Sequence, residues 1–478
     1  MTPRSRRPAS ALAALAGLAA LALPAGASAS TASVPADGAA REKPVAIGTL
    51  VQLSGARGCI VDKSKSRGSC GSARALQEPG PFMGSRALDL SPDGKYLYVA
   101  SSKSDAIAIF KRKRGNGALT QSKGSAGCIA AGGASGCATA VGLDGPNSVA
   151  VSPDGKNVYA TSRDTGSIIS FRRDPKTGAL VQPPGGCIAD APIPGCAQGR
   201  ALAGADVVAV SPDGANVYVG AFFGNAVATF DRDPSTGLLT QPGDATGCLT
   251  EAVTANCATG LALGSPEGMA ISADGSSVYV ASAASNAVVV LARDPSTGAL
   301  DQGTDGSGCI TDAELTGCAT GLQLAGANAV AVNPDSSDVY VTSLLSNSMT
   351  TFSSGGTASL TQKPGTSGCM VFLVAVGCSF AQALSAPEGV AVSADGVSVY
   401  VAAYSSGAIA VLDRNTTSSD VTQKPRRDGC VARPKVKNCE RARKMKGVSS
   451  IEISPDGRNV YATSSGSDAI VAFKRSTR

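Results

Sequence analysis

The chain has 478 residues, of which 43% are apolar and 16% charged, and it contains no histidine and no tryptophan. Without histidine there is no Ser-His-Asp triad and no imidazole base, so catalysis by those routes is excluded. The 57 glycines and 26 prolines favour many short strands joined by tight turns.

The first 29 residues have the pattern of a secretory signal peptide. Arginines near the start precede an apolar segment at 11–23, which is too short to span a bilayer comfortably, and Ala27-Ser28-Ala29 fits a cleavage site. An arginine pair also leaves the twin-arginine route open. We expect residues 30–43 to be a flexible linker and 44–478 the folded domain of a secreted protein with no transmembrane segment.

Fourteen cysteines fall into seven sequential pairs, six spaced C-x8-C and the first C-x10-C. A zinc site would need C-x2-C knuckles or nearby histidine, so we predict local disulfides in an oxidising compartment. Each disulfide that closes such a short loop stabilises the folded protein by about 2–3 kcal/mol. The predicted disulfides are Cys59–Cys70, Cys128–Cys137, Cys187–Cys196, Cys248–Cys257, Cys309–Cys318, Cys369–Cys378 and Cys430–Cys439.

A second motif, SPDG or a close variant, recurs seven times at the same spacing of about 60 residues. It begins at Ser91, Ser152, Ser211, Ser272, Asn333, Ser393 and Ser454. Seven marks at one period predict seven structural units. The aspartate in each motif recurs in every unit, so we interpret it as a turn former and not as a catalytic residue.

Each unit has the pattern of four short antiparallel strands. In the second unit we predict them at 148–151, 157–161, 168–172 and 179–182, with the cysteine loop leading on to the next unit. The sequence therefore predicts an all-β protein, a seven-bladed β-propeller with four antiparallel strands per blade.

The two ends of the chain predict how the ring closes. The last unit stops after its third strand, while Gly48–Gln52 resembles the fourth strand of the first unit, Gly117–Gln121. We expect this N-terminal strand to complete the seventh blade, which hides an edge that would otherwise be exposed. The Cys59–Cys70 loop would then join blade seven to blade one.

Segments such as Ser211–Gly220 (SPDGANVYVG) resemble the YVTN repeat of lactonase-like seven-bladed propellers, and the resemblance covers nearly all of the mature chain. It implies the propeller fold and, as one activity, hydrolysis of lactones. The family includes phosphogluconolactonase-like and muconate-cyclase-like enzymes beside exported proteins whose role is binding. Family lactonases often place histidine or arginine near the inner strand, where this chain has Arg86.

Positions at which the repeats differ are the candidates for a site. Five residues before each SPDG motif, all seven units have a polar residue, and we expect these residues to ring one mouth of the central channel. They are Arg86, Asn147, Asp206, Glu267, Asn328, Glu388 and Ser449. Asp89 and Glu452 stand where other inner strands have alanine, and we expect them to form a charged cluster with Arg86.

Three interpretations of this ring remain open. It could be a polar lining for a water-filled channel and nothing more. It could bind Ca²⁺ through Asn147, Asp206, Glu267, Asn328 and Glu388, because carboxylates and amides are the oxygen ligands that this ion prefers. It could also be a substrate site without metal, with catalytic candidates Arg86, which would bind an anion, and Glu267 or Glu388, which would act as a base.

Loops after the second strands should face the same mouth. They carry Lys103, Arg163, Phe222, Phe223, Leu344, Leu345 and Tyr404. Their apolar members would form a ligand wall, or they are scattered surface residues of no particular role.

The segment from Lys424 to Lys446 carries ten basic and two acidic residues in a chain whose net charge is +6. We call its basic residues the basic rim: Lys424, Arg426, Arg427, Arg433, Lys435, Lys437, Arg441, Arg443, Lys444 and Lys446. This rim is either a solvated loop or a surface for an anionic envelope polymer or phospholipid head groups. Nucleic acid is not expected, because no aromatic residues interleave.

These observations favour an exported propeller, expected to be a monomer, that binds a small-molecule ligand or a partner through its channel mouth and basic rim. The alternative is a lactonase-like hydrolase that uses the Glu/Asp/Asn ring, with or without Ca²⁺. A purely structural envelope protein is the third hypothesis.

Overall fold

The computed structural model describes residues 46–80, 86–434 and 436–477, and the predicted signal peptide and linker lie outside these ranges. The described residues form seven six-stranded sheets, which are the blades of the predicted seven-bladed propeller. Within these ranges, no helix is long and apolar enough to cross a membrane. The helices are short 3-10 turns at Gly55–Arg57, Ser102–Ser104, Gly124–Gly127, Ala134–Gly136, Ala245–Gly247, Gly365–Ser367, Arg426–Gly429 and Ser465–Ser467.

The strands are numbered along the chain. The N-terminal segment forms β1 (Leu50–Gln52), β2 (Cys59–Asp62) and β3 (Gly71–Ala73). Blade one has β4 (Leu88–Leu90), β5 (Tyr96–Ser101), β6 (Ala106–Lys113), β7 (Ala118–Gln121), β8 (Cys128–Ala131) and β9 (Ala138–Ala140). Blade two has β10 (Pro146–Val151), β11 (Asn157–Ser162), β12 (Ser167–Arg173), β13 (Leu180–Val181), β14 (Cys187–Ala189) and β15 (Ala197–Gln198).

Blades three to five repeat this order. Blade three has β16 (Ala205–Val210), β17 (Asn216–Ala221), β18 (Ala226–Arg232), β19 (Leu239–Thr240), β20 (Cys248–Thr250) and β21 (Ala258–Thr259). Blade four has β22 (Pro266–Ile271), β23 (Ser277–Ser282), β24 (Ala287–Arg293), β25 (Leu300–Gln302), β26 (Gly306–Thr311) and β27 (Cys318–Thr320). Blade five has β28 (Ala327–Val332), β29 (Asp338–Ser343), β30 (Ser348–Ser354), β31 (Leu360–Gln362), β32 (Cys369–Val371) and β33 (Ser379–Phe380).

The last two blades complete the ring. Blade six has β34 (Pro387–Val392), β35 (Ser398–Ala403), β36 (Ala408–Arg414), β37 (Val421–Gln423), β38 (Cys430–Ala432) and β39 (Glu440–Arg441). Blade seven has β40 (Val448–Ile453), β41 (Asn459–Ser464) and β42 (Ala469–Arg475), to which β1–β3 add. The predicted closure is confirmed, because Leu50 pairs with Arg475 and Cys59 pairs with Val471.

The prediction of four strands per blade is corrected to six. In blade two the predicted fourth strand is only the two-residue β13, which pairs with the end of β12 at Arg172 and Arg173. The cysteine loop supplies β14, which pairs with the start of β12, and β15, which lies parallel to β14. The outer edge of the third strand is therefore shared by two short strands, and the cysteine loop belongs to the blade that precedes it.

All seven predicted disulfides are present, with Cα–Cα distances of 4.6–4.9 Å. Each one fastens the strand after the first cysteine to the parallel strand after the second. Seven disulfides are typical of an oxidising, extracytoplasmic compartment.

The SPDG motifs form the turns between the first and second strands, as predicted. In blade two the Ser152 hydroxyl donates to Asp154 at 2.6 Å, the Lys156 amide donates to the same carboxylate at 3.1 Å, and Gly155 has a φ of +68° that favours glycine.

The same aspartates also hold neighbouring blades together. The buried Arg173 of β12 donates from Nε to the Tyr98 hydroxyl of blade one at 2.8 Å, and its Nη2 lies 3.1 Å from the Asp93 carboxylate. We call this arrangement the inter-blade clamp. It recurs as Arg112 with Tyr461 and Asp456, Arg232 with Tyr159 and Asp154, Arg293 with Tyr218 and Asp213, and Arg475 with Tyr400 and Asp395.

Candidate functional site

The predicted ring residues lie at irregularities of the inner strands. In blade two Pro146 pairs with Ser162 and Ser148 pairs with Thr161, so Asn147 between them has no partner in the ladder. The same shift in register occurs at the ring position of blades three to seven. Such bulges are common next to functional sites because they re-aim a side chain.

These bulges bury the ring residues instead of directing them into the channel. Asn147, Asp206, Glu267, Asn328 and Glu388 are all buried, and none of them lines the central cavity. As buried side chains, these five do not give the cavity the polar lining considered from the sequence. Of the ring positions, Arg86 alone contributes to the cavity wall.

Two of the ring residues are fully engaged within the fold. The Asn328 amide donates to the Pro387 carbonyl at 2.9 Å and accepts from the Thr342 hydroxyl at 2.8 Å. The Ser449 hydroxyl donates to the Gly80 carbonyl at 2.7 Å. In both cases the side chain satisfies a neighbouring main-chain carbonyl, which is a structural role.

The ring residues of blades two to four form a second group, which we call the mouth cluster. Asn147 donates to Asp206 at 2.5 Å, and Arg163 lies 3.5 Å from the same carboxylate oxygen. The Arg163 guanidinium sits 4.0 Å above the Phe222 ring. The loops that carry Arg163 and Phe222, which follow the second strands of blades two and three, therefore lie at the same end of the propeller as the mouth cluster.

Burial raises the pKa of both carboxylic acids in the mouth cluster. It raises the pKa of Asp206 to about 7, although Arg163 and Asn147 oppose the shift. It raises the pKa of Glu267 to about 8, with a further contribution from the charge of Asp206. One oxygen of each group, Asp206 Oδ2 and Glu267 Oε2, is buried without a hydrogen-bond partner.

The mouth cluster does not fit the calcium site considered from the sequence. The positively charged Arg163 guanidinium lies 3.5 Å from Asp206 Oδ1, to which the Asn147 amide donates, so a cation bound beside this carboxylate would be repelled. Among the described residues, no group of three or more His, Cys, Asp or Glu side chains is arranged to hold a metal ion.

The central channel contains a cavity of about 300 Å³ between the inner strands. Most of the residues around it have apolar side chains, such as Ala209, Ala270 and Val330, and Arg86 and Glu452 contribute charged side chains.

Arg86, Asp89 and Glu452 form the cluster predicted from their departures from the repeat, and we call it the channel triad. Arg86 Nη2 lies 3.2 Å from Asp89 Oδ1 and 3.1 Å from Glu452 Oε2. Asp89 is held in place by the Val151 amide, which donates to its other oxygen at 2.7 Å. The Arg86 side chain is 45% exposed, so a solute in the channel can reach it.

The triad has perturbed acid–base properties. Burial raises the pKa of Glu452 to about 7, even though Arg86 opposes the shift. Burial also raises the pKa of Asp89 against the effect of Arg86, while Asp89 is the main reason that the pKa of Arg86 is raised. Arg86 is thus a permanent cation beside a glutamate that can exchange a proton near neutral pH.

The basic rim is smaller than the sequence indicates. Lys424 is buried and pairs with Asp413, so it does not belong to the rim. Arg443 donates to main-chain carbonyls of Leu53 and Gly55 in blade seven, which makes it an inter-blade contact. Lys435 lies outside the described residues. Lys444 is half-buried, and the exposed members are Arg426, Arg427, Arg433, Lys437, Arg441 and Lys446.

The fold and the site define a disulfide-stapled seven-bladed propeller with a charged triad in its channel. Its sequence matches the family described as "Lactonase, 7-bladed beta-propeller" over residues 75–132 and 191–308. The resemblance to lactonase-like seven-bladed propellers is therefore confirmed, and the match covers most of blade one, all of blade three and most of blade four.

Solved structures agree at the level of the fold. A candidate 6-phosphogluconolactonase from Bacteroides fragilis has 17% identity and a TM-score of 0.50, over 70% of this chain and 81% of that one. A second, from Bacteroides uniformis, has 17% identity and a TM-score of 0.51, over 77% and 88%. No curated protein matches the sequence significantly.

Proposed function

We propose that this protein is an exported lactonase-like hydrolase that opens a small lactone in its central channel. The observation that carries the proposal is the Arg86–Glu452 pair, at 3.1 Å, in the wall of the central cavity. The match to the lactonase family supports the reaction class. The disulfides and the signal-like N-terminus support export.

The chemistry follows from the two side chains. Glu452 in its ionised form takes a proton from a water molecule, whose oxygen attacks the lactone carbonyl, and a pKa of about 7 suits this role. Arg86 stabilises the negative charge that develops on the carbonyl oxygen. The C–O bond of the ring then breaks and the ring oxygen takes the proton from Glu452. The new carboxylic acid releases its remaining proton to solvent, and the resulting carboxylate faces Arg86.

The test is hydrolysis of a panel of five- and six-membered lactones, gluconolactone included, by the mature, disulfide-intact protein. We expect Glu452→Gln to lower kcat by about 10²–10⁴-fold, because general base catalysis is lost. Arg86→Ala should lower kcat/KM, and Arg86→Lys should restore part of it. The exposed Glu251 on the blade-three disulfide loop provides the matched control Glu251→Gln, which should keep full activity.

Other outcomes would contradict this assignment. Full activity in Glu452→Gln with loss in Glu267→Gln would move the active site to the mouth cluster. If no lactone is hydrolysed, the proposal that the protein is a hydrolase is wrong.

The second candidate is binding without turnover, and the exposed, permanently charged Arg86 favours it. A small carboxylate, such as the hydroxy acid that a lactone yields, fits a cavity of about 300 Å³ with one cation in its wall. Calorimetric binding of gluconate that is lost in Arg86→Ala, together with no lactone turnover, would establish this function in place of hydrolysis.

A further inference from the structure

The disulfide loop of blade five differs from the other six. Between Cys369 and Cys378 it reads MVFLVAVG and contains no polar side chain, whereas each of the other six loops contains at least one. Met370 and Val371 are buried in the blade, but Leu373, Val374 and Val376 are 66%, 92% and 100% exposed. Apolar side chains this exposed, on a loop closed by a disulfide, indicate a contact surface.

A further exposed apolar residue, Leu345, extends this surface. The Phe372 amide donates to the Asn347 carbonyl at 3.0 Å, which places the loop against the connection between β29 and β30. Leu345 in that connection is 69% exposed. We call Leu345, Leu373, Val374 and Val376 the apolar patch.

Part of the basic rim lies on the neighbouring blade, at the same end of the propeller as the apolar patch. In blade six the Arg433 amide donates to the Gly407 carbonyl, so this disulfide loop also lies at the end of the blade where the second strand turns into the third. Gln382, which follows β33 of blade five, donates to the Lys437 carbonyl, and Phe380 and Arg426 line one groove. The exposed Arg433 and Lys437 thus belong to a disulfide loop that contacts the segment following the apolar loop.

We propose that this face of the propeller binds the surface of an anionic phospholipid bilayer. The apolar patch inserts between the head groups and the basic rim pairs with lipid phosphates. The charge of the rim favours an anionic surface, and the apolar loop distinguishes a bilayer from a soluble polyanion, which offers nothing apolar to contact. The inference does not depend on the proposed hydrolase activity, because no residue of the channel triad takes part.

The absence of tryptophan allows a direct test of insertion. In Val374→Trp the introduced indole is the only tryptophan, so its fluorescence reports the loop alone. With vesicles of equal parts phosphatidylglycerol and phosphatidylcholine, we expect its emission to shift to shorter wavelength and acrylamide quenching to fall. The matched control is Val181→Trp on β13, an exposed valine at the far end of blade two, whose emission should not change.

Vesicle sedimentation of the mature protein separates the two parts of the surface. Leu373→Ser, Val374→Ser and Val376→Ser together should weaken binding by about tenfold or more, because inserted apolar area is lost. Arg433→Ser with Lys437→Ser should weaken it by about tenfold on anionic vesicles. Arg172→Ser with Val181→Ser, an exposed pair that faces across β12 and β13, should leave binding unchanged.

Three results would overturn the proposal. They are no sedimentation with anionic vesicles, an unchanged Val374→Trp emission at saturating lipid, and binding that the triple serine variant does not weaken. If the triple serine variant still binds and soluble polyglutamate displaces the protein from the vesicles, the basic rim is a binding surface for an anionic polymer instead.

Discussion

Asp206 and Glu267 occupy bulges on neighbouring blades. Their burial at neutral pH costs free energy of folding, which the rest of the structure must offset. Each has a buried oxygen without a hydrogen-bond partner. Their raised pKa values mean that the folded state prefers the neutral, protonated acids. Perturbed acids of this kind cluster at functional sites, which supports a role for the mouth cluster beyond structure.

This preference predicts how stability depends on pH. Both groups have a folded pKa raised above the unfolded value of about 4, so their contribution is fully favourable below pH 4 and is lost as pH rises through about 7 and 8. We expect the thermal midpoint of the wild type to fall between pH 5 and pH 8.5, and Asp206→Asn with Glu267→Gln to reduce that fall. Parallel pH curves for variant and wild type would contradict this, and exposed Glu251→Gln is the control.

The sequence indicates which residues form the site but not how their side chains are oriented. The channel triad was predictable because Asp89 and Glu452 replace an alanine that five other inner strands keep. The burial of Asn147 and Glu388 was not, since a polar residue at a strand end is compatible with solvent or with a bulge. A shift of one residue in strand register decides whether such a side chain faces solvent or is buried in a bulge. The side-chain pattern of a six-residue strand does not specify that register.

Between elements, the inter-blade clamp explains why the SPDG aspartate, the tyrosine of the second strand and the arginine of the third recur together. The tyrosine also donates to a carbonyl of the next blade, as Tyr98 does to Gly178 at 3.0 Å. Blade five breaks the pattern, because Ser354 stands in place of the arginine and meets Tyr279 at 3.1 Å. The contact between blades four and five thus lacks this ionic clamp.

Loss of one clamp should be costly. Arg293→Ala removes the bonds to Tyr218 at 2.8 Å and to Asp213 at 2.7 Å, and the buried Tyr218 hydroxyl and Asn216 amide oxygen lose this donor. We expect the free energy of unfolding to fall by about 2–4 kcal/mol, measured by denaturant unfolding. Arg172→Ala on the exposed face of β12 is the control and should cost less than about 0.5 kcal/mol. Equal costs for the two variants would refute the clamp as a stabilising element.

The repeat period predicted the three inner strands of each blade closely, since alternating apolar residues and a turn motif mark their ends. The outer strands were harder, because β13 and β15 have only two residues each and no alternation can be recognised over that length. The cysteines that mark β14 indicated a loop, whereas the structure shows that the disulfide holds two strands in register.

At the scale of the whole molecule, the ring closes by pairing the two ends of the chain. Both β1 and β2 add to β42, so the seventh blade takes its outer strands from the N-terminus and its inner strands from the C-terminus. A ring closed in this way leaves neither end free to separate without breaking a sheet.

Removal of residues 1–73 should therefore destabilise the whole propeller and not only one blade. The truncation exposes the edge of β42 and removes the Cys59–Cys70 disulfide. We expect aggregation in light scattering and a lower, less cooperative thermal transition. A chain that lacks only residues 1–43 is the control and should match the full mature domain. A monodisperse 74–478 fragment with an unchanged midpoint would contradict closure by these strands.

The disulfides pair each odd-numbered cysteine with the next one along the chain, at sequence separations of 9 or 11. If the chain leaves the cytoplasm from its N-terminus, every odd cysteine meets its native partner before any other appears. Oxidation in order of emergence then yields the native connectivity without reshuffling. A protein with fourteen cysteines would thus need an oxidant during export but no disulfide isomerase.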